Sequence, residues 1–575
     1  MSQRKLYVPQ GFHGTTRWHD AKVLRQTLDM AKTRLLVVSC IFLLAFLVIA
    51  GRLVEVSLLR GRGEVNLAQA KALRGTSFRG DILDRNGELL ATSLNTVSLY
   101  ANARVVLDAK EVAKKLTQVL PELHYKEIFQ RLQSGKGFVW LARHLTPQKQ
   151  AEIIRLGLPG IYFQKDERRV YPHGELFAHV LGYTNIDNQG LGGVERKFND
   201  SLLSKKEPLQ LSLDIRVQHV LRDELLAGID KFKAQGGAGM VMDVRTGEII
   251  AMVSLPDFDP NQVGKMGSHK EALFNRITLG TYEMGSSFKI FNTALYLESG
   301  AGTLFTKFDV SSPLRIGRFR PKDFHPTHHP LTVAEVFTES SNIGAGKMAM
   351  QMGSSLQKAF FEKLGFFQPA SLEISEIGSP LYPKKWSEAT TITAGYGYGI
   401  SISPLQLVTA IAGVVNKGIM QKPTLKKVTL PYVNKGIRIL SQKTSEIMCK
   451  LMYMIVAHGR SKKARVLGYE VGGKTGTANQ ISGRSYQEGT NMTSFVAAFP
   501  MSCPQYVVLI MVDRPQAIKE TYGFNAAGWN AAPIGGNVIR RSAPLLQVIP
   551  TNEGKMQSEA NPMFIHAAVP HVGGH

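Results

Sequence analysis

Ser286 and Lys289 stand three residues apart in the stretch Tyr282-Glu283-Met284-Gly285-Ser286-Ser287-Phe288-Lys289, at the mouth of a segment that reads as a buried helix. The run from Phe288 to Leu297 is apolar on most sides, and Gly300 closes it. A helix that is apolar nearly all round belongs inside a domain. Residues at i and i+3 share a face, so the spacing predicts that Ser286 Oγ and Lys289 Nζ meet at the first turn. A lysine desolvated there loses much of its preference for the charged form, and a neutral amine can take the serine's proton. The helix N-terminus also favours developing negative charge.

A lone Ser-x-x-Lys carries little weight. A chain this long contains roughly two or three by chance, and Ser2/Lys5 and Ser355/Lys358 match as well. The company downstream gives the pair its meaning. Ser340-Ser341-Asn342 follows, and then Lys474-Thr475-Gly476-Thr477, in the order and kind of the penicillin-interacting serine enzymes.

The chain resembles the class B penicillin-binding proteins, monofunctional peptidoglycan transpeptidases, and most closely their septal, division-specific type. The likeness runs from an apolar N-terminal segment to about residue 545. It rests also on non-catalytic boxes: Arg79 to Gly87, Arg168 to Pro172 with Ala178 to Gly182, Gly190 to Glu195, and Tyr396 to Ser401 with Pro404 to Gln406. Two positions depart from the family pattern. Met284 stands where proline is usual, and Gly192 where an acidic residue is usual. Neither supplies catalytic chemistry, so the local turns are where a difference is expected.

The resemblance implies a set of roles. Ser286 attacks a D-alanyl carbonyl, with Lys289 as base. Ser340 passes the proton towards the leaving amine, and Asn342 holds Lys289 and the substrate amide in register. Lys474 supplies a cation near the serine and the substrate carboxylate, which the Thr475 and Thr477 hydroxyls bind. Glycines 472, 473 and 476 let a peptide backbone approach the strand closely, as strand addition requires. The backbone N–H groups of Ser286 and Thr477 are the expected oxyanion hole.

The elements that must carry these residues can be taken in chain order. The chain has 575 residues, room for two or three domains, and a net charge of +24 from 69 Lys and Arg against 45 Asp and Glu. Such charge attracts nucleic acid, anionic lipid or cell-wall polymer alike; no nucleic-acid motif accompanies it. Of three cysteines, Cys40 falls in an apolar span, and Cys449 and Cys503 are too few for a disulfide framework, though they could pair.

Residues 1–34 are a polar, basic tail of net charge +5, and Leu35 to Gly51 run without a charge. Seventeen residues is the short end of a spanning helix, which Leu53, Val54 and Val56 extend while Arg52 snorkels. A cleaved signal peptide is the rival, with Val48-Ile49-Ala50 as a possible cleavage site, but the long flank and core suit a retained anchor. The expected anchor is 35–56 with the N-terminus cytoplasmic, which places the rest in the periplasm of a bacterial inner-membrane protein.

Residues 57–210 mix helix and strand signals. Asp108 begins a helix through Val119, Thr146-Pro147 caps another that stops at Gly157, and Thr96 to Tyr100 and Phe138 to Leu141 read as strands. This is a support module, resembling the family's elongated α+β pedestal. Arg79, Asp84 and Arg85 are expected to form ion pairs that hold it to the enzyme domain.

The enzyme domain is expected over 211–550. Asp214 to Phe232 is a long amphipathic helix, and two β-runs around Arg245-Thr246-Gly247 make a hairpin. Thr332 to Glu335 is a capping box whose helix delivers Ser340 to Asn342 into a loop before another helix at 343–351. Strand signals follow at 469–478, 494–499 and 506–512, and a last helix is expected after Pro533. Strands grouped at both ends with helices between predict an antiparallel sheet flanked by helices. The resemblance implies the β-lactamase-like transpeptidase fold. Residues 551–575 lack periodicity and are expected to be disordered.

His325, His328 and His329 beside Asp323 raise the question of a metal. Prolines 326 and 330 and the absence of a ligand-spaced partner argue for a loop flanking the active site instead, and neither metal nor cofactor is expected. The expected partners are peptidoglycan stem peptides, β-lactams, and a septal glycosyltransferase with other membrane proteins of the division machinery. Besides the septal enzyme, the alternatives are an elongation-type transpeptidase, a membrane-anchored serine β-lactamase, and a non-catalytic scaffold or penicillin sensor.

Overall fold

The computed structural model describes residues 79–550, apart from 205–206, 268–269, 316–319, 430–434 and 483–484, together with helical residues 36–37, 40 and 42–50. Among the described residues no helix is long and apolar enough to cross a membrane. The expected tails, 1–34 and 551–575, lie outside the described residues, as do 35, 38–39, 41 and 51–56 of the expected anchor.

The molecule is multidomain α+β. Its first domain is built on strand β1 (Leu89–Ala101), which pairs antiparallel with β2 (Val139–Leu145) and β3 (Ile161–Val170). Helices α1 (Ala109–Val119), α2 (Tyr125–Leu132) and α3 (Pro147–Arg155) cover one face through a core of Leu99, Leu116, Ile128, Leu141 and Ile153. Asp108 and Thr146 cap α1 and α3 with their side chains, as their sequences predict. The strands run longer than expected because their polar ends still pair across the ladder.

The charged boxes divide their work differently from the expectation. Arg79 does not reach the enzyme domain; its Nε donates to Glu195 Oε2 at 2.6 Å, and Arg169 Nε donates to Glu195 Oε1 at 2.6 Å, all buried within the first domain. A charge buried this deeply needs its partner close by, and both arginines find Glu195 in their own domain. Asp84 and Arg85 do cross. Asp84 Oδ2 accepts from the Ile215 N–H at 3.3 Å, and Arg85 lies 3.7 Å from Glu248.

The second domain begins with α4 (Ile215–Phe232), capped by Asp214, and the hairpin β4 (Gly236–Asp243) and β5 (Ile249–Leu255). The helices between include α5 (Lys289–Glu298), α6 (Val333–Thr338), α7 (Asn342–Met352), α8 (Pro404–Val415) and α9 (Gln442–Ala457), with two more, Ser354–Lys363 and Glu388–Ala394, between α7 and α8. Then come β6 (Gly472–Ser482), β7 (Ser485–Phe499), β8 (Tyr506–Asp513) and α10 (Ala531–Leu545). The five strands form one antiparallel sheet in the order β6-β7-β8-β4-β5.

Every residue of β4 and β8 is buried, because helices cover both faces of the sheet. Side chains alternate along a strand, so Met240 and Met242 join the cluster of Phe288 and Phe291, while Val241 joins that of Val217, Leu221 and Ile534. The outer edge of β5 is buried and answered by neighbouring segments: Gln218 on α4 accepts from Met252 N and donates to Met252 O, both at 2.8 Å, and Asp214 N donates to Ile250 O at 2.8 Å. The last helix starts at Ala531, two residues before Pro533. Asn530 caps it, and proline sits without loss in a first turn, where N–H groups have no intrahelical partner. Cys449 is buried, Cys503 is exposed, and both thiols are free.

Candidate active site

Ser286, the candidate nucleophile, sits where a single 3₁₀ turn, Gly285–Phe288, runs into α5. The sequence builds this turn from small residues followed by a wholly apolar anchor. Phe288 is buried against Phe291, Phe361 and Phe366, which fixes the turn to the core and leaves Ser286 at its mouth. Gly285 has φ +51°, and a Cβ there would stand 2.8 Å from the Thr477 carbonyl oxygen. The backbones of the nucleophile turn and of β6 therefore touch, with Ser286 and Thr477 on either side of the contact.

Lys289 occupies the centre. Its Nζ lies 3.1 Å from Ser286 Oγ, 3.2 Å from Ser340 Oγ, 2.6 Å from Ser340 O and 2.7 Å from Asn342 Oδ1. The side chain is 1 % exposed. Burial, and then the charge of Lys474, push its pKa well below the ordinary lysine value, while Asp323 opposes the shift. A neutral amine carries a lone pair, which is what a base for Ser286 requires.

Ser340 comes from the short link between α6 and α7, and Asn342 from the start of α7. The capping box at Thr332 and Glu335 is present and starts α6, as the sequence predicts. Asn342 is the first residue of α7 rather than part of the preceding loop. Ser340 has φ +62°, a left-handed conformation that is costly for a residue with a Cβ. It turns both the carbonyl and the hydroxyl of Ser340 towards Lys289. Lys474, on β6, donates from Nζ to Ser340 Oγ at 2.9 Å. Burial and Arg460 bring the Lys474 pKa down to about 7, and Glu339 acts against them.

Strand β6 is an edge of the sheet, so Thr475, Gly476 and Thr477 present it to an incoming chain beside Ser286. Gly476 is there for space: a Cβ would meet Ser494 Oγ at 2.5 Å and Met284 O at 2.7 Å. The Thr477 hydroxyl accepts from Ala527 N at 3.5 Å, and Thr477 O accepts from Tyr398 OH at 3.4 Å.

Ser286, Lys289, Ser340, Asn342 and Lys474 are thus brought into one hydrogen-bonded group, with Thr475 to Thr477 on the adjoining strand. Two further contributors have no site role in the sequence reading. Glu283 Oε1 accepts from Gly399 N at 2.7 Å, tying the nucleophile turn to the Tyr396 to Ser401 box. Asp323 accepts from Ser341 and Asn342 behind the site. The box is visible as a motif; Asp323 lies in a loop without periodicity, and its one sequence signal is the company of three histidines.

This constellation, at the junction of an antiparallel sheet and a buried helix, defines a serine acyl-transfer enzyme. Comparison with known proteins gives its family. The penicillin binding protein transpeptidase domain matches residues 237–539, and the penicillin-binding protein dimerisation domain matches residues 75–214. The probable peptidoglycan D,D-transpeptidase FtsI of Caulobacter vibrioides is 39% identical over 483 residues, 82% of each chain. The peptidoglycan D,D-transpeptidase FtsI of Escherichia coli is 30% identical over 513 residues, 83% of this chain and 85% of its own. Stage V sporulation protein D of Bacillus subtilis is 31% identical over 568 residues, 90% and 86% of the two chains.

Among solved structures, the apo TP domain of Burkholderia pseudomallei penicillin-binding protein 3 aligns with TM-score 0.53 and 30% identity, covering 60% of this chain and 98% of that one. A peptidoglycan synthetase from Bifidobacterium adolescentis aligns with TM-score 0.65 over 83% of this chain and 97% of that one, at 22% identity, and shares the fold. The chain belongs to the class B penicillin-binding proteins, with a dimerisation (pedestal) domain followed by a transpeptidase domain. It is a serine-type D,D-transpeptidase of the FtsI type, and by family a target of β-lactams.

Proposed function

We propose that this enzyme cross-links the stem peptides of septal peptidoglycan through an acyl-Ser286 intermediate. The observation that carries the reading is the placement of Lys289 Nζ within 3.2 Å of Ser286 Oγ, Ser340 Oγ and Asn342 Oδ1 in a buried pocket. Lys289 takes the Ser286 proton as Oγ attacks the penultimate D-alanyl carbonyl. The oxyanion forms beside the N–H groups of Ser286 and Thr477. The peptide C–N bond then breaks, and Ser340 delivers a proton to the departing D-alanine amine. The amine of a second stem peptide attacks the acyl-serine, losing its proton by the same route, and Ser286 is regenerated. Lys474, Thr475 and Thr477 bind the terminal carboxylate, and Asn342 holds the amide of the donor peptide.

The domain reading follows: a cytoplasmic tail over 1–34, an anchor over 35–56, a pedestal over 57–210, a transpeptidase domain over 211–550, and a C-terminal tail over 551–575. The catalytic domain works in the periplasm, beside a septal glycosyltransferase and other membrane proteins of division. The two FtsI relatives favour the septal assignment, whereas the sporulation relative shows that the same architecture serves another setting. Depletion should give filaments without septa and a tagged copy at mid-cell; rounded, swelling cells would assign the enzyme to elongation.

The chemistry is tested by mass spectrometry after incubation with penicillin. A long-lived adduct on Ser286, lost in Ser286→Ala with the fold retained, is the expected result. Rapid return of free enzyme would indicate a β-lactamase, and undiminished labelling of the variant would remove Ser286 as nucleophile.

A further inference from the structure

Behind the catalytic group, on the side away from Ser286, residues Lys322 and Asp323 meet the start of α7. Asp323 Oδ2 accepts from Ser341 Oγ at 2.6 Å, and Oδ1 accepts from the Asn342 N–H at 2.5 Å and the Ile343 N–H at 3.0 Å. The Asn342 side-chain amide donates from Nδ2 to Lys322 O at 2.9 Å. That bond decides which way the amide faces: with Nδ2 held by Lys322, Oδ1 is left for Lys289 Nζ at 2.7 Å. Ser341 Oγ in turn accepts from Gly344 N at 2.9 Å, which closes the first turn of α7. Ser340, held at φ +62°, is the residue immediately before this clamp.

We propose that Asp323 is a positioning residue for acylation: its carboxylate fixes the Ser340-Ser341-Asn342 link in its strained form and sets the charge balance around Lys289. The proposal rests on Lys289 acting as the base for Ser286. A strained turn persists only when its surroundings over-determine it, and three bonds to one carboxylate do so here. The carboxylate also stands close enough to Lys289 to favour its ammonium form, in opposition to burial and to Lys474. The groups that bear on the lysine pair are Asp323 from the loop, Lys474 from β6, and, acting on Lys474, Glu339 and Arg460. His325, two residues along the same loop, feels burial, Arg460 and Glu339. Only Asp323 changes in the variant below, so a displaced pH profile reports its charge.

The test is the second-order rate of Ser286 acylation by a fluorescent penicillin, followed across a range of about four pH units centred on neutrality. Asp323→Asn is nearly isosteric and uncharged. Acylation at neutral pH is expected to fall by about tenfold to hundredfold, the usual cost of an ångström-scale misplacement. Its acid limb should move to lower pH, because Lys289 without its anionic neighbour protonates less readily. Asp323→Glu keeps the charge, so its acid limb should stay with the wild type although the rate is reduced. A purely structural residue would scale the rate at every pH and leave the limb in place, and that result would overturn the proposal. So would an unchanged rate in Asp323→Asn. If Asp323→Asn melts below the assay temperature, Ser341→Ala takes its place: it keeps the carboxylate and removes one partner, so slower acylation with an unmoved limb supports the clamp, and a wild-type rate overturns it. Failure of the wild type to label at Ser286 would overturn the nucleophile assignment and the proposal together.

Discussion

Lys289 and Lys474 share one hydroxyl: Ser340 Oγ lies 3.2 Å from the first amine and 2.9 Å from the second. The two amines belong to different layers of the fold, one on a buried helix and one on an edge strand, and both side chains are at most 2 % exposed. Two ammonium groups so placed repel each other, and burial penalises both. The lysines are thereby pushed towards unequal states, one fit to accept a proton and the other to offer positive charge. In the proposed mechanism Ser340 is the bridge through which a proton passes between Lys289 and a leaving amine.

The closeness of β6 to the nucleophile turn gives the first prediction. Gly476→Ala places a methyl 2.7 Å from the Met284 carbonyl and 2.8 Å from Ser287 Oγ, where the backbone side cannot swing away. Overpacking of this kind costs about 1–3 kcal/mol, and here it falls on the contact between the Ser286 turn and β6. The variant should fold with a modestly lowered melting temperature and acylate with penicillin at least about a hundredfold more slowly. Wild-type acylation would show that the turn relaxes without consequence.

The buried charges of the first domain give a second. Glu195 answers both Arg79 and Arg169, and Tyr171 OH donates to it at 3.4 Å. Glu195→Ala strands two buried guanidinium groups, which typically costs about 3–5 kcal/mol. Urea unfolding should show the loss, while penicillin acylation of the folded protein continues at the wild-type rate, since no catalytic side chain bonds to Glu195. Equal stability would mean that water or rearrangement rescues the arginines.

How far the sequence carries these conclusions depends on how local the determining contacts are. Ser286 and Lys289 are one turn apart, so their meeting follows from helix geometry. Thr332 and Glu335 satisfy each other across three residues, and the helix they start is predictable for the same reason. On its other side from the hairpin partner β5, by contrast, β4 pairs with β8, far along the chain, and nothing local signals that partner or that both faces are covered. Arg79 is expected from its box to reach across to the enzyme domain, but its partner Glu195 is in its own. Charge alone does not say which of many carboxylates lies near. Asp323 is the clearest case: a loop aspartate with no periodicity gains its meaning only from the three donors brought to it by α7.

The last prediction concerns pH. Burial and Arg460 bring Lys474 down to about 7, so in the free enzyme its positive charge is present below that value and is lost as pH rises through it. Lys289 is also held well below the ordinary lysine value, by burial and by the charge of Lys474, so its lone pair is lost only as pH falls. The second-order acylation rate reports groups in the free enzyme. It should be bell-shaped, with an acid limb from protonation of Lys289 and an alkaline limb near the Lys474 value of about 7. Because the two amines interact, each limb is an apparent property of the pair. Lys474→Arg separates them. Guanidinium stays charged throughout this range, so the alkaline limb should disappear even though the altered shape of the cation slows the reaction. The acid limb should remain, since the guanidinium still presents a positive charge to Lys289. An alkaline limb that persisted unmoved in this variant would belong to another group and would remove Lys474 as the titrating cation.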